Sequence, residues 1–294
     1  MPKSKWNLNT IYISERLQES LRPISRCAMT TVVAPMGYGK TTAVEWYLAE
    51  RAGAEAPYIV RISVYSSNLA IFWKSVQDAF ARAGFAFLRE YDCPTDGASG
   101  GLLIDDLCHS LTGEKSCYIF IDDFHLLTDK RAPGFLCALA GRLPPNVHLI
   151  LASRDLFLPA AELVRLGGKV YQIGTAQLRL NHTELAVYTK RCGTALSDEQ
   201  IDTLLYYSEG WFSAVYLNLR MFSEHGVLPD PNSDISSIFT AAMIDPLPEK
   251  QREFLAVMGL ADEFTVEMAQ FVMTDAHAED LLAALTGQNA FVKR

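Results

Sequence analysis

The chain of 294 residues is 49% hydrophobic and 20% charged, a composition that excludes a wholly disordered protein and suffices for one large or two to three small domains. Its formal net charge of −8 disfavours a general binder of nucleic acids or anionic membranes. The charge is uneven, because residues 181–294 carry 7 basic and 17 acidic side chains.

Cysteine spacing and apolar run length indicate the cellular compartment. The six cysteines are scattered, and no two have the C-x-x-C spacing of a zinc or redox site. No apolar segment follows the basic residues at the start of the chain, and no uninterrupted apolar run approaches about 18 residues. These features predict a reduced, cytoplasmic protein and disfavour secretion and membrane spanning.

Short β-rich runs alternate with longer helical stretches in the first 175 residues, a pattern typical of a parallel sheet covered by helices in an α/β fold. The nearly continuous hydrophobicity of the runs is typical of strands buried on both faces. Five strands are predicted, at 30–34, 58–64, 117–122, 147–153 and 169–173. The helices predicted between them are at 41–52, 68–83, 101–111, 133–143 and 159–166, with a loop at 91–101.

Helix signals dominate beyond about residue 175. Asn181 with Glu184, and Ser197 with Gln200, have the spacing of a capping box and predict the starts of two helices. A third helix is predicted at 212–224, followed by a proline-rich linker at 226–233, helices at 249–258, 265–272 and 278–285, and the start of a strand at 289–294.

Residues 34–42, APMGYGKTT, connect a predicted strand to a predicted helix. They match the phosphate-loop pattern G-x-x-x-x-G-K-[ST], with an alanine in place of the first glycine. Gly37 and Gly39 allow the backbone N–H groups and the helix N-terminus to face an anion, and Lys40 would reach the β- and γ-phosphates. The alternative is an ordinary glycine-rich turn before a helix, but the Lys40-Thr41 pair and both flanks favour a nucleotide site.

A magnesium site is predicted where the Thr41 hydroxyl meets a carboxylate. The apolar strand at 117–122 runs into Asp122 and Asp123, and we expect it beside the strand that feeds the loop, with Asp122 on the Mg²⁺ side. Asp123 lies where many ATPases use a glutamate to polarise the attacking water. Because the aspartate side chain is shorter, we expect it not to hold that water at the proper distance, which predicts slow hydrolysis. The alternative for the paired acids is a solvated turn or helix cap.

Arg154 ends another buried strand and therefore projects from the same sheet edge. Its guanidinium would sense the γ-phosphate through a charge-assisted hydrogen bond. A local ion pair with Asp155 is the alternative.

Five motifs in this order resemble the ATPase module of the STAND class of signal-transducing NTPases, specifically the LuxR-type large ATP-binding transcriptional regulators. The motifs are APMGYGKTT at 34–42, IFIDDFHLL at 119–127, LASRD at 151–155, LRLNHTEL at 178–185 and EGWFSAVYL at 209–217. In that family a small residue replaces the first glycine of the phosphate loop, as the alanine does in this chain. The resemblance covers nearly the whole chain.

The resemblance implies a P-loop NTPase fold with a five-stranded parallel sheet in a nucleotide-binding domain at 1–175, a helical domain at 176–230 and a partial winged-helix domain at 231–294. These modules together close over ATP or ADP with Mg²⁺. Asp123 and Arg154 are implied as catalytic, and Thr41 and Asp122 as metal ligands. The implied cofactor-binding residues are Pro35, Met36, Gly37, Tyr38, Gly39, Lys40, Thr41, Thr42 and Arg16.

Arg16 and two further features of the chain also fit the family pattern. Arg16 lies in the stretch that in the family runs past the adenine, although an ordinary surface arginine is an equal alternative. Gly210-Trp211 resembles the helical-domain motif that approaches the nucleotide, but the proline often found after it is absent. His125 also fits, with a packed or capping histidine as the alternative.

The family implies a nucleotide-operated switch in which ADP holds a closed form and ATP favours an open, self-associating form. The sensor repeats and the C-terminal DNA-binding region of the family are absent, which predicts a fragment or truncated form that reaches DNA only through that missing region. The net negative charge of residues 181–294 predicts that the partial winged helix packs within the protein and does not bind DNA. Two alternatives are a P-loop ATPase with steady turnover, in phosphoryl transfer or mechanical work, and a nucleotide-free scaffold.

Overall fold

The computed structural model describes residues 7–8, 10–226, 228, 244–245, 247–261, 264–274 and 278–288. The chain divides into two compact units. The α/β unit comprises Ile11–Leu180, and the helical unit comprises Met1–Thr10 together with Asn181–Arg294.

The α/β unit is built on a five-stranded sheet in which every pair of neighbouring strands is parallel, as predicted. The strand order is β2-β3-β4-β1-β5. The strands are β1 (Met29–Val33), β2 (Tyr58–Ser63), β3 (Cys117–Asp122), β4 (Val147–Ser153) and β5 (Val170–Ile173).

Two apolar cores lie on the two faces of this sheet. Successive strand residues point to opposite faces, so Ile119 and Ile121 of β3 belong to one core while Tyr118 and Phe120 belong to the other. Every residue of β3 and β4 is buried, which explains their unbroken hydrophobicity.

Helices cover both faces of the sheet. Those of the α/β unit are α1 (Glu15–Leu21), α2 (Lys40–Glu55), α3 (Leu69–Arg82), α4 (Gly97–Leu111), α5 (Arg131–Arg142), α6 (Ala160–Leu166) and α7 (Thr175–Leu178). Short 3-10 helices occur at Arg22–Ser25, Ala86–Glu90, Phe124–Leu126 and Gly167–Lys169. The α2 helix contributes to the core that contains Tyr118, whereas α3, α4 and α5 contribute to the core that contains Ile119.

The predicted loop at 91–101 was wrong in its last five residues, because α4 already begins at Gly97. The Asp96 side chain accepts a hydrogen bond from the Ser99 backbone N–H at 2.8 Å, and the Ser99 side chain completes a capping box. This cap stabilises the first turn despite its glycines.

The helical unit begins with the two capping-box helices that the sequence predicted. Its helices are α8 (His182–Arg191), α9 (Asp198–Ser208), α10 (Phe212–His225), α11 (Glu249–Met258), α12 (Val266–Met273) and α13 (Ala278–Gln288). The last three share an apolar core around Phe254 and Leu285. Most of the predicted linker at 226–233 and the whole predicted strand at 289–294 lie outside the described residues.

Helix length and polarity bear on membrane insertion. Within the part of the chain that the structure describes, no helix combines the length and apolar character needed to cross a bilayer.

Candidate nucleotide site

Three chain segments with polar side chains leave the sheet at its carboxyl edge. β1 leads into the phosphate loop, β3 ends at Asp122, and β4 ends one residue before Arg154. In a parallel α/β sheet this edge is the usual place for a ligand. The expectation that β3 lies beside β1 was wrong, because β4 pairs with both and separates them. Strand order is a tertiary property that a local pattern does not carry.

The phosphate loop has the backbone geometry of an anion cradle. Gly37 and Gly39 adopt positive φ angles of 79° and 77°, a region that residues with a Cβ rarely occupy. Gly39 is also the N-cap of α2, and its carbonyl accepts the hydrogen bond of the Ala43 N–H at 2.9 Å. The N-terminus of α2, the positive end of a 16-residue helix, therefore lies at this edge of the sheet.

Lys40 is the first residue of α2, and its side chain turns back into the loop. The residue is only 8% exposed, and its Nζ donates hydrogen bonds to the carbonyl oxygens of Ala34 at 2.8 Å and Pro35 at 3.0 Å. A buried ammonium requires such partners. These contacts hold the positive charge within the loop, where phosphate oxygens would be bound.

The Thr41 hydroxyl donates a hydrogen bond to Oδ2 of Asp122 at 2.8 Å. Asp122 is buried, and its second oxygen, Oδ1, accepts the backbone N–H of Asp123 at 3.0 Å. A hydroxyl and a carboxylate thus lie side by side next to the loop. Oxygen donors of these two types are those with which proteins bind Mg²⁺ beside phosphates.

Asp123 has a left-handed backbone, with a φ of 54°. It is the N-cap of the 3-10 helix Phe124–Leu126 and is half-buried. Aspartate tolerates this conformation better than most residues that carry a Cβ. The sharp turn ends β3 immediately after Asp122.

His125 lies among the charges of this edge. Both ring nitrogens are buried, and neither has a hydrogen-bond partner among the described residues. Burial is the main cause that lowers the pKa of His125, and the positive charges of Arg154 and Lys40 lower it further, while Asp123 and Asp155 oppose them. The imidazole is therefore neutral at pH 7.

Arg154 is exposed at the end of β4. Its charge acts on His125, and its guanidinium forms no ion pair with another residue in the described part of the chain. The local pair with Asp155 that the sequence left open is thus absent from this structure. Instead, the Ser153 hydroxyl donates a hydrogen bond to the Asp155 carbonyl at 2.8 Å.

The remaining predicted cofactor residues differ in placement. Arg16 lies in α1, where its guanidinium donates hydrogen bonds to the carbonyls of Ala176 at 3.1 Å and Arg179 at 2.6 Å, so that it ties α1 to the end of α7. Its predicted adenine contact stays a prediction. Pro35, Met36 and Thr42 are exposed, and Tyr38 is half-buried against the apolar core that α2 covers.

Gly210-Trp211 lies in the helical unit. Trp211 is the N-cap of α10, and Gly210 has a positive φ of 75°. The predicted approach of this motif to a nucleotide stays a prediction.

The donor set fits a magnesium–nucleotide complex. Lys40, Thr41 and Asp122 offer the ammonium, hydroxyl and carboxylate that such a complex requires, and glycine at positions 37 and 39 leaves no Cβ to obstruct the concave side of the loop. The structure brings these three side chains together with Asp123 and Arg154 at one edge. The sequence did not predict that the ring nitrogens of His125 are buried without a hydrogen-bond partner among the described residues. Burial depends on which distant residues pack around a side chain in the fold.

Comparisons with known proteins agree with this architecture. The MalT winged helix domain family matches residues 240–294. The chain is 21% identical over 306 residues to the HTH-type transcriptional regulator MalT of Vibrio campbellii, covering 97% of this chain and 32% of that protein. It is 22% identical over 297 residues to MalT of Yersinia pestis, covering 97% and 33%. The chain thus spans about a third of the length of these curated relatives.

A solved structure supports the fold. A Walker-type ATPase of Pyrococcus abyssi superposes with a TM-score of 0.51 at 12% identity, covering 98% of this chain and 93% of that chain. These matches confirm the resemblance that the motifs predicted. The chain has a P-loop ATPase fold, matches the MalT winged helix domain family near its end, and is similar over nearly its whole length to about a third of MalT-type transcriptional regulators.

Proposed function

We propose that this chain binds Mg-ATP and Mg-ADP and acts as the nucleotide-operated switch of a transcriptional regulator. The hydrogen bond between Thr41 and Asp122 beside the phosphate loop carries this proposal. A relic loop in a nucleotide-free scaffold would have no need to keep a hydroxyl and a buried carboxylate in contact next to a buried lysine.

Each side chain would have its own part in nucleotide binding. The loop N–H groups and Lys40 would bind the phosphates, and Thr41 and Asp122 would hold the metal. When bound, Mg²⁺ neutralises phosphate charge and orients the nucleotide. Lys40 would exchange its carbonyl partners for phosphate oxygens, which form stronger charge-assisted hydrogen bonds.

A switch requires that ATP and ADP stabilise different conformations. A ligand shifts a conformational equilibrium only by its difference in affinity for the two states. Arg154 is our candidate for this difference, because its exposed guanidinium lies at the same sheet edge and has no ion-pair partner among the described residues. In the ADP form the modules would be closed, and in the ATP form they would open and self-associate.

Slow hydrolysis would reset the switch. Asp123 would orient the attacking water, but its side chain is one methylene shorter than glutamate and starts from a left-handed turn. General bases work only within hydrogen-bond reach of the proton that they accept. We therefore expect a turnover rate far below the common enzyme range of about 1 to 1000 s⁻¹.

The wider setting follows from the relatives. The matched proteins are named as HTH-type transcriptional regulators, and we propose that this chain serves such a regulator in the cytoplasm. DNA would be bound by a different region of that regulator, because residues 181–294 of this chain carry a net negative charge that repels DNA.

Calorimetric titration with Mg-ATP and Mg-ADP tests nucleotide binding. The variant Lys40→Ala should lose both affinities, since it removes the loop cation. Lys169→Ala is the matched control, because its Nζ also donates to a backbone carbonyl, that of Gly141 at 2.6 Å, but lies outside the loop. Equal affinity in wild type and in a folded Lys40→Ala variant would refute the site.

Sedimentation tests the switch separately. The chain should remain monomeric with Mg-ADP and associate with a non-hydrolysable ATP analogue. Identical sedimentation with the two nucleotides, both shown to be bound, would refute the switch while leaving the binding site intact. A turnover of about 1 s⁻¹ or more would instead favour an ATPase with steady turnover.

A further inference from the structure

A cavity of about 410 Å³ lies in the α/β unit, away from the phosphate loop. It occupies the face of the sheet that α3, α4 and α5 cover, whereas α2 packs on the opposite face. The segment from Cys93 to Gly97 forms one wall. Its volume falls within the range of roughly 300 to 1000 Å³ that is typical of small-molecule sites.

The cavity wall is largely apolar. Aliphatic residues of β2, β3 and α4 form the floor and one side, including Ile62, Ile121 and Leu103. Aromatic rings form much of the rest, from Phe72, Trp73, Phe80, Phe124 and Phe135. Such a lining offers a dry surface to an apolar ligand and few hydrogen bonds.

Small residues on two facing helices explain why the space stays open. Gly100 of α4 and Ala132 and Ala138 of α5 line the cavity, so no long side chain enters the space from these three positions. A Cβ added at Gly100 would lie 3.5 Å from the Phe135 ring, which is ordinary van der Waals contact. An alanine would therefore fit at this position, yet the chain has glycine there.

Hydrogen bonds at residues 91 and 95 hold the wall segment that runs from Cys93 to Gly97. The Trp73 indole N–H donates to the Tyr91 carbonyl at 3.0 Å, and Gln77 donates to the same oxygen at 2.9 Å. At the other end, Arg131 donates to the Thr95 carbonyl at 3.2 Å. The cavity is consequently preformed and would bind a ligand without first ordering a loop.

Both arginines at the rim are paired with carboxylates. Arg131 forms an ion pair with Asp129 at 2.7 Å, and its hydrogen bonds hold the pKa of Asp129 at about 2. Arg142 pairs with Asp105 at 2.9 Å. The Asp96 carboxylate caps α4. An anionic ligand would have to compete with the carboxylates for these arginines, so the rim favours an uncharged ligand.

We propose that this cavity is a binding site for an uncharged, predominantly apolar small molecule. Aromatic character in the ligand would match the rings of Trp73 and Phe135, which can contact another ring by stacking or by an edge. This site is separate from the nucleotide site and does not depend on its assignment. Its lining nevertheless includes Ile121 and Phe124, which flank Asp122 and Asp123 in the chain.

Titration with N-phenyl-1-naphthylamine, an uncharged aromatic probe whose fluorescence rises in apolar surroundings, tests the site on the 294-residue chain. We expect saturable binding of one probe per chain and a rise of the melting temperature with probe concentration. An anionic naphthalene sulfonate of similar size should bind about tenfold more weakly, because the paired rim offers it no free cation. Equal affinity for the two probes would overturn the assignment to an uncharged ligand.

Two filling variants and one control locate the probe. Ala138→Leu inserts methylenes into the cavity and should weaken probe binding by about tenfold, the usual extent of an overpacking penalty. Gly100→Ala should also weaken probe binding, and it should stabilise α4 because alanine is the better helix former. This second variant keeps the test valid if Ala138→Leu does not fold.

The matched control is Ala161→Leu at an exposed position of α6, which should bind the probe as wild type does. Weaker binding in both filling variants but not in the control would support the site. Absence of saturable binding in wild type, or unchanged binding in both filling variants, would overturn it.

Discussion

The hydroxyl of Thr41 lies 2.8 Å from a carboxylate oxygen of Asp122, a residue 81 positions further along the chain. Thr41 is in the first turn of α2, and Asp122 is the last residue of β3. β4 lies between β3 and the strand that feeds the loop, so the contact spans two strand positions of the sheet. This relationship joins the phosphate loop to an acid at the sheet edge, and it supports the proposed magnesium site.

Thr41→Ala should weaken nucleotide binding only when Mg²⁺ is present. Loss of a residue that supports a metal site costs about 10- to 100-fold in metal affinity, whereas the loop N–H groups and Lys40 would act on the phosphates without the metal. Titration with ATP in excess Mg²⁺ and in a chelator measures the two affinities. Thr112→Ala is the control, because its hydroxyl also makes a hydrogen bond, to the Cys108 carbonyl at 2.7 Å, but lies outside the loop at an exposed position. A loss of equal size under both conditions would remove Thr41 from the metal site.

Asp123→Asn should keep nucleotide affinity and lose hydrolysis. The amide has nearly the same shape and tolerates the left-handed backbone, but it cannot accept a proton from water. We expect a fall of about 100-fold or more in the turnover rate, measured by phosphate release at saturating Mg-ATP. Hydrolysis at the wild-type rate would contradict the role proposed for Asp123.

Arg154→Gln should reduce the preference for ATP over ADP. A hydrogen bond to a charged partner contributes about 1.5 to 3 kcal/mol, so ATP affinity should fall about tenfold or more while ADP affinity changes little. The ratio of the two dissociation constants is the measurement. Arg89→Gln, at another exposed arginine of the same unit, should leave the ratio unchanged. A parallel loss of both affinities would show that Arg154 does not distinguish the nucleotides.

Stability should decrease as the pH falls through about 6.5. Burial lowers the pKa of His148, although its hydrogen bond with the Cys27 carbonyl partly opposes this effect. The unfolded chain therefore binds protons at a pH where the folded chain does not, which favours unfolding on acidification. His125 acts in the same direction.

Urea unfolding at a series of pH values between about 5.5 and 7.5 measures this dependence. His148→Gln should reduce the slope of the unfolding free energy against pH, and His109→Gln, at an exposed position of α4, should leave it unchanged. An unaltered slope in the His148 variant would show that this histidine is not buried in its neutral form.

The parallel sheet could be predicted because its strands are buried on both faces. Residues of β3 and β4 form unbroken apolar runs that end in polar residues. The runs predicted the two strands, and their polar ends predicted the sheet edge at which Asp122 and Arg154 lie. The phosphate loop could also be predicted from the sequence. Its glycines and its lysine are residue types that a loop needs in order to surround a phosphate and balance its charge.

The features that were missed depend on short segments or on tertiary packing. Helices α1 and α7 have 7 and 4 residues, too few for a clear period of 3.6 residues. The glycines after Asp96 concealed the start of α4, although Asp96 and Ser99 have capping-box spacing. The insertion of β4 between β1 and β3 and the apolar cavity leave no local pattern, because both are set by how distant elements pack.

Identification of the nucleotide carried by the freshly purified protein tests the switch most directly. The protein would be denatured with acid, and any released nucleotide would be separated by anion exchange and quantified. We predict about one ADP per chain in wild type and in Lys169→Ala, and none in Lys40→Ala. Absence of nucleotide in wild type, together with no binding of added Mg-ATP or Mg-ADP, would contradict the account and leave a nucleotide-free scaffold as the better description.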